Sequence, residues 1–248
     1  FRPGVMERLG LDYQKLCEQN PSLIFCSLTG YGQTGSYRYR AGHDLNYLAI
    51  SGVSNYSRRK NERPVPLGIQ VADVAGGSYH VVMGILSAVI HRHLTGEGQA
   101  IDISMVDAMF SMNVFEGVNW LAGGDGAEPE STFLNGGTLY DYYHTKDGRI
   151  VSVSSLEPHF FAALINAMEL PETLLEISLS DKKSQKRLKK ILKKRFLDRP
   201  WSEWEAAFAD CDACVELVLE FPEAMEHQQF KDREMIVDVP DSSGSTQR

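Results

Sequence analysis

The chain has 248 residues, of which 43% are hydrophobic, and it carries a formal net charge of −8. That length allows one or two domains, and the apolar content is ample for a core. The acidic balance argues against a nucleic-acid partner, which requires a basic field; no apolar run is expected to span a bilayer, so a membrane is not an expected partner either.

The opening Phe1-Arg2-Pro3-Gly4 is neither a signal peptide nor an ordinary initiator, and the chain stops abruptly at Thr246-Gln247-Arg248. It reads as a fragment of a longer protein. Residues 23–28 form a short apolar run after Asn20-Pro21 and predict a buried strand. Thr29-Gly30-Tyr31-Gly32-Gln33-Thr34-Gly35 follows, with three glycines at a strand exit, where ligands commonly sit in α/β proteins. Residues 73–93 are apolar on most faces and predict a buried helix, ended by Gly96 and Gly98. A second strand is expected over 99–104 and a second helix over 106–121. Residues 122–135, rich in Gly, Glu, Pro and Ser, read as a linker.

Beyond it, residues 139–145 and 150–154 flank Lys146-Asp147-Gly148-Arg149 and predict a hairpin with an Asp-Gly turn. Helices are expected over 157–168, with Pro158 in the first turn, from about 181 to 197, and over 201–209. Together they make a smaller α+β unit, and the tail after Asp238 reads as irregular. The run 182–195 holds nine Lys or Arg. Leu188, Ile191 and Leu192 recur within it at helical spacing, so it reads as a solvated helix with one buried stripe, or more sharply as a patch for an anionic ligand. Four cysteines, at 17, 26, 211 and 214, are too few and too uneven for a disulfide framework. Cys211-Asp212-Ala213-Cys214 has redox spacing but no thioredoxin-like surroundings, and reads as structural. A reducing cytoplasm is the expected compartment.

Three residues stand out as acid–base equipment. His43 lies in Ala41-Gly42-His43-Asp44, Asp73 in Val71-Ala72-Asp73-Val74-Ala75-Gly76-Gly77 at the mouth of the long helix, and Glu157 in Leu156-Glu157-Pro158. A histidine titrates close to working pH and suits proton transfer. At a helix start, free backbone N–H groups favour a negative charge on Asp73 or would stabilise a developing oxyanion. The small residues after Asp73 would let a ligand approach the backbone. The plainer readings are a satisfied histidine, an N-cap aspartate and a first-turn glutamate. His91 and His93 read as a solvated helix end and His80 as structural, so no metal is expected.

Several motifs occur together in order: Phe1-Arg2-Pro3-Gly4-Val5-Met6-Glu7-Arg8-Leu9-Gly10-Leu11, Leu28-Thr29-Gly30-Tyr31-Gly32-Gln33-Thr34-Gly35, Gly42-His43-Asp44, Ala72-Asp73 with Gly76-Gly77, and Thr95-Gly96-Glu97-Gly98-Gln99. The set resembles the family III CoA-transferases, also called the CaiB/BaiF family, over nearly the whole chain and most weakly after about residue 170. The resemblance implies an α/β fold. A partial Rossmann-type large domain would cover residues 1–121, with its N-terminal part missing. A linker over 122–138 would lead to a smaller α+β domain over 139–226. A truncated linker over 227–248 would return toward the large domain. It also implies an interlocked homodimer.

Within that family, the resemblance implies two chemistries. Transferases use an aspartate nucleophile at the position of Asp73. The α-methylacyl-CoA racemases use a histidine and an aspartate as bases, matched by His43 and Asp73, and a glutamate matched by Glu157 pairs with the histidine. His43 therefore points to racemisation or epimerisation of 2-methylacyl-CoA thioesters through an enolate. The alternatives are CoA transfer through an aspartyl-CoA thioester on Asp73, and a non-catalytic binding subunit. Ile69 departs from the racemase pattern, which often has asparagine there. Arg8 matches an arginine on the CoA phosphates, a role that suits a guanidinium. Arg2 and Tyr47 are further CoA-binding candidates, and Gly136, Gly137 and Tyr140 are candidates for the acyl pocket. Coenzyme A enters as part of the acyl-CoA substrate, and no separate cofactor is expected.

Overall fold

Two short helices, α1 (Val5–Arg8) and α2 (Tyr13–Gln19), lead into strand β1 (Ile24–Thr29). β1 pairs in parallel with β2 (Gln99–Ser104), from Ile24 opposite Gln99 to Thr29 opposite Ser104. A parallel pair requires a crossover. Here it consists of α3 (Asp44–Ile50), α4 (Val53–Tyr56) and a 24-residue helix, Ala72–Thr95. These elements belong to the first of two units in this computed structural model, Phe1–Asn135; the second is Gly136–Arg248. The structure describes residues 1–240, 242 and 246–247.

The long helix opens as a π-helix, Ala72–Tyr79, and continues as α5 (His80–Thr95) to a left-handed Gly96, φ 80°. It runs against α6 (Met105–Ser111) at Gly76, where an added Cβ would meet Met109 Cε at 2.9 Å and the Met105 carbonyl oxygen at 3.3 Å. Gly76 and Gly77 are buried. The small residues after Asp73 thus admit α6, Leu28 and Met105 rather than leaving the backbone open to a ligand.

Two expectations for this helix are corrected. It is not a buried helix: Gly84 faces Ile101 and Ile103 of β2, but Val82, Met83, Leu86, Ile90 and Leu94 are exposed, Leu94 at 81%. Two strands cover one face of a helix and leave the rest. By length and composition it also meets the requirement for a bilayer span, because Gly76, Gly77 and Ser78 do not interrupt the helix as they interrupt the apolar run. The helix expected over 106–121 is two, α6 and α7 (Val114–Leu121). Asn113 makes the break: its amide donates to the Phe110 and Ser51 carbonyls at 2.9 and 3.1 Å and accepts from Tyr56 Oη at 2.6 Å. Residues 122–135 are tied into the same unit by an Arg59–Glu130 ion pair, 3.1 Å, and by Asn135, which donates to the Tyr56 carbonyl at 3.2 Å.

In the second unit, the predicted hairpin forms β3 (Asp141–His144) and β4 (Ile150–Val153), and β5 (Val215–Leu217) adds to β4, all antiparallel. Gly148 takes the left-handed turn position, φ 81°. Helices α8 (Pro158–Ala167), α9 (Lys182–Phe196) and α10 (Trp201–Phe208) fall where they are expected, with a 3₁₀ turn at Glu172–Glu176. Two further helices, α11 (Phe221–Glu226) and α12 (Gln228–Asp232), precede a two-residue ladder of β6 (Val239–Pro240) with β7 (Thr246–Gln247). The rest of the tail expected to be irregular, residues 241, 243–245 and 248, lies outside the described residues.

The core of this unit is the apolar stripe of α9, Leu188, Leu192 and Phe196, packed with Trp204 and the inner face of the sheet, Val151 and Val153. The buried polar groups in it are matched. Trp204 Nε1 donates to the Phe196 carbonyl at 3.1 Å. Gln185 accepts from the Leu139 amide at 3.0 Å and donates to the Ser178 carbonyl at 3.2 Å.

Truncating Leu192, fully buried, to alanine is expected to cost about 2–5 kcal/mol, whereas Lys190→Ala on the exposed face shifts stability by no more than about 0.5 kcal/mol. Urea unfolding of both variants checks the orientation of α9, and equal midpoints would contradict it.

Candidate active site

His43 and Asp73 are brought together by the residue between them in neither motif's foreground, Asp44. His43 sits at the N-cap of α3 in an extended conformation, φ −131°, ψ 175°, and its backbone amide donates to Asn46 Oδ1 at 3.0 Å. The next residue, Asp44, turns its carboxylate to the start of the long helix. Asp44 Oδ1 accepts from the Ala72 amide at 2.5 Å and from the Asp73 amide at 3.1 Å. Both donors are first-turn N–H groups, which lack partners inside a helix. A carboxylate there gains charge-assisted hydrogen bonds and the favourable end of the helix dipole.

This contact settles how Asp73 itself is placed. Asp73 is not the N-cap, because Asp44 supplies that function from 28 residues upstream. Nor are the Ala72 and Asp73 amides free to stabilise an oxyanion, since Asp44 occupies both. The half-buried Asp73 lies in the π-helical opening, and its carbonyl accepts from Ser78 Oγ at 3.4 Å. π-helical turns within helices recur at functional sites. His43 is exposed.

Beneath both residues lies a small aromatic floor. Tyr47 packs with Leu48, Ala72 and Met109, and Tyr31 meets it edge-on at 5.2 Å. The Tyr47 hydroxyl donates to the Gly42 carbonyl at 2.6 Å, holding the His43 loop from below. Burial pushes the Tyr47 phenol above its ordinary pKa, and the neighbouring Tyr31, Asp73 and Asp44 push it further the same way. Tyr47, a CoA-binding candidate by sequence, is only 5% exposed and commits its hydroxyl to the backbone. Gly30 passes over this ring so closely that an added Cβ would lie 2.6 Å from Tyr47 Cε1. Thr29, the last residue of β1, keeps a buried hydroxyl without a hydrogen-bond partner among the described residues.

The remaining candidates are placed as follows. Arg2 and Arg8, at the start of the first unit, are exposed. Glu157, Gly136, Gly137 and Tyr140 belong to the second unit. Glu157 is the exposed N-cap residue of α8. Gly136 is buried and left-handed, φ 92°, its carbonyl accepting from Lys189, which also pairs with Asp141 at 2.7 Å. The Tyr140 amide donates to Thr138 Oγ1 at 3.2 Å. His80 Nδ1 lies 2.7 Å from the Ala75 carbonyl within the helix. Burial, and secondarily Asp212, raises the pKa of both the Cys211 and Cys214 thiols, opposite to what a reactive thiolate requires.

Comparison with known proteins places this geometry in context. A family model described as CoA-transferase family III matches residues 1–248. Alpha-methylacyl-CoA racemase of Homo sapiens is 38% identical over 237 residues, covering 94% of this chain and 61% of that protein. Succinyl-CoA:glutarate CoA-transferase of Homo sapiens is 32% identical over 208 residues, covering 82% of this chain and 47% of that protein. The crystal structure of a CaiB/BaiF family protein from Brucella suis superposes with a TM-score of 0.77 at 25% identity, covering 100% of this chain and 68% of that one. This chain therefore spans about three fifths of the length of the racemase it matches.

Asp44→Ala removes both acceptor bonds and leaves two helix-start amides to water. The expected loss is about 1–3 kcal/mol of stability, with faster hydrogen exchange confined at first to the Ala72 and Asp73 amides. Unchanged protection at those two amides would show that the bridge does not form.

Proposed function

The chain belongs to CoA-transferase family III, and from that premise we propose that its protein acts on acyl-CoA thioesters as a racemase or epimerase of 2-methylacyl chains. The observation that carries this reading is the Asp44 bridge, which seats a histidine loop on the first turn of the helix that bears Asp73. Inverting a carbon beside a thioester requires removing a weakly acidic α-proton and returning one to the opposite face. Two bases held in one rigid setting meet that requirement, provided one is protonated while the other is not.

In the proposed cycle one of His43 and Asp73 takes the α-proton, the thioester carbonyl carries the negative charge as an enolate, and the other base delivers a proton to the opposite face. His43 is exposed, so its imidazole is open to a substrate. Glu157 is assigned the supporting role that the family resemblance implies. Arg8 and Arg2 are the proposed phosphate contacts, and Gly136, Gly137 and Tyr140 the proposed acyl-pocket residues. The proposed assembly is a homodimer and the proposed compartment the cytoplasm.

A second reading rests on Asp73 alone. Its carboxylate would attack the thioester carbonyl and expel CoA thiolate, giving a mixed anhydride. The thiolate would then attack the aspartyl carbonyl, releasing the carboxylic acid and leaving aspartyl-CoA for transfer to a second acid. The similarity to a succinyl-CoA:glutarate CoA-transferase supports keeping it.

The two readings separate in deuterated water with the full-length protein and a 2-methylacyl-CoA, no acceptor acid being present. Racemisation predicts rapid α-deuteration, lowered about 100- to 10,000-fold in His43→Ala. Absence of exchange together with CoA transfer to an added carboxylic acid would replace the first reading by the second. Neither activity over a range of acyl-CoAs would refute both, in favour of a binding subunit.

A further inference from the structure

Helix α9 gathers charge that the overall balance conceals. Nine of the 25 Lys and Arg residues in the chain lie between 182 and 195. Lys189 is engaged with Asp141 at 2.7 Å and Arg195 with Glu169 at 2.8 Å. The other seven, six lysines and Arg187, are exposed, and none makes an ion pair among the described residues. The helix contains no acidic residue.

Their arrangement is one-sided. At 3.6 residues per turn, the seven fall within a sector of about 140°, with Lys182 and Arg187 at its edges, and run about 18 Å along the axis. The opposite face, Gln185, Leu188, Leu192 and Phe196, is locked in the core of the second unit, so the helix cannot rotate to hide the charge. Leu197, at the C-cap, keeps helical backbone angles, φ −71° and ψ −10°. It therefore continues the phase of the helix, lies near the middle of the sector, and is 47% exposed.

We propose that this ridge is a docking surface for the anionic headgroups of a phospholipid bilayer. Lysine is a flexible point charge without the forked geometry that reads a particular phosphate or carboxylate, and six of the seven cations are lysines. That chemistry suits a field of many equivalent anions. A helix flank is convex, so it meets an extended deformable surface better than it encloses a strand. No aromatic residue lies in the sector, whereas single-stranded nucleic acid is held by base stacking on aromatics. Leu197 supplies an apolar tip at the level where headgroups give way to acyl chains. The acidic remainder of the chain would be repelled by the same membrane, which restricts contact to this face.

The full chain is to be floated with vesicles of phosphatidylcholine containing about 30% phosphatidylserine, and with phosphatidylcholine vesicles alone. Binding is expected to the first only, and to be lost in about 0.5 M NaCl. The triple variant Lys186→Glu, Lys190→Glu, Lys193→Glu is expected to lower the partition coefficient roughly 100-fold or more, with the parent's unfolding temperature. The corresponding triple glutamine variant gives the same direction should charge reversal disturb the fold. Leu197→Ser is expected to weaken binding to the anionic vesicles without changing its salt dependence. Three outcomes would overturn the proposal: equal partition of parent and triple variants, equal binding to both vesicle types, or retention of polyuridylate or polyglutamate while anionic vesicles leave the chain in solution.

Discussion

One carboxylate organises the candidate site. Asp44 accepts two amides from the first turn of the long helix, at 2.5 and 3.1 Å, and its own backbone begins α3, whose N-cap is His43. Remove that acceptor and, among the described residues, no other hydrogen bond ties the histidine loop to the Asp73 turn; what remains is the packing of Tyr47 under Gly42 and against Ala72. The bridge is also selective about chemistry. By occupying the Ala72 and Asp73 amides, it removes them as oxyanion donors and leaves the Asp73 side chain as the proposed reactive group of that turn.

The rest of the first unit serves this contact. The parallel pair β1–β2 fixes the loop after Thr29 and the start of α6 at Ser104, whose hydroxyl accepts from the Asp107 amide at 3.3 Å. α6 then packs on Gly76, which holds the π-helical turn in place from the other side. The cost of this arrangement is a long apolar helix with much of its surface uncovered in the described residues. The second unit is self-contained by contrast: its buried side chains close around Trp204 and Phe196, and its buried glutamine has partners on both ends.

Much of this was legible in the sequence, and the failures have specific causes. Strands at residues 24–29 and 99–104 follow from apolar runs bounded by turn residues, and the hairpin from Asp147-Gly148. The stripe of α9 follows from the 3.6-residue spacing of Leu188 and Leu192. The motif frames around His43 and Asp73 marked both residues. The role of Asp44 did not show, because a hydrogen bond across 28 residues leaves no local pattern; a short polar residue just after a candidate base, upstream of a helix that lacks its own N-cap, is the only trace. Asn113 broke a helix that propensity would have continued, since its amide bonds reach Ser51 and Tyr56, again far in sequence. Gly76 and Gly77 invited a ligand on paper and admitted α6 in fact. Net charge is a coarser signal than the local run: a total of −8 averages over a helix with no acid in it, whereas the nine Lys and Arg of residues 182–195 are legible in the sequence.

In the proposed mechanism Asp44 acts through position. The direct measurement is steady-state α-deuteration of a 2-methylacyl-CoA by the full-length protein and its Asp44→Asn variant, with kcat and KM separated. If Asp44 sets the geometry of the two bases, kcat falls about 10- to 100-fold while KM changes little. A folded variant that exchanges the α-proton at the parent's kcat would contradict the account.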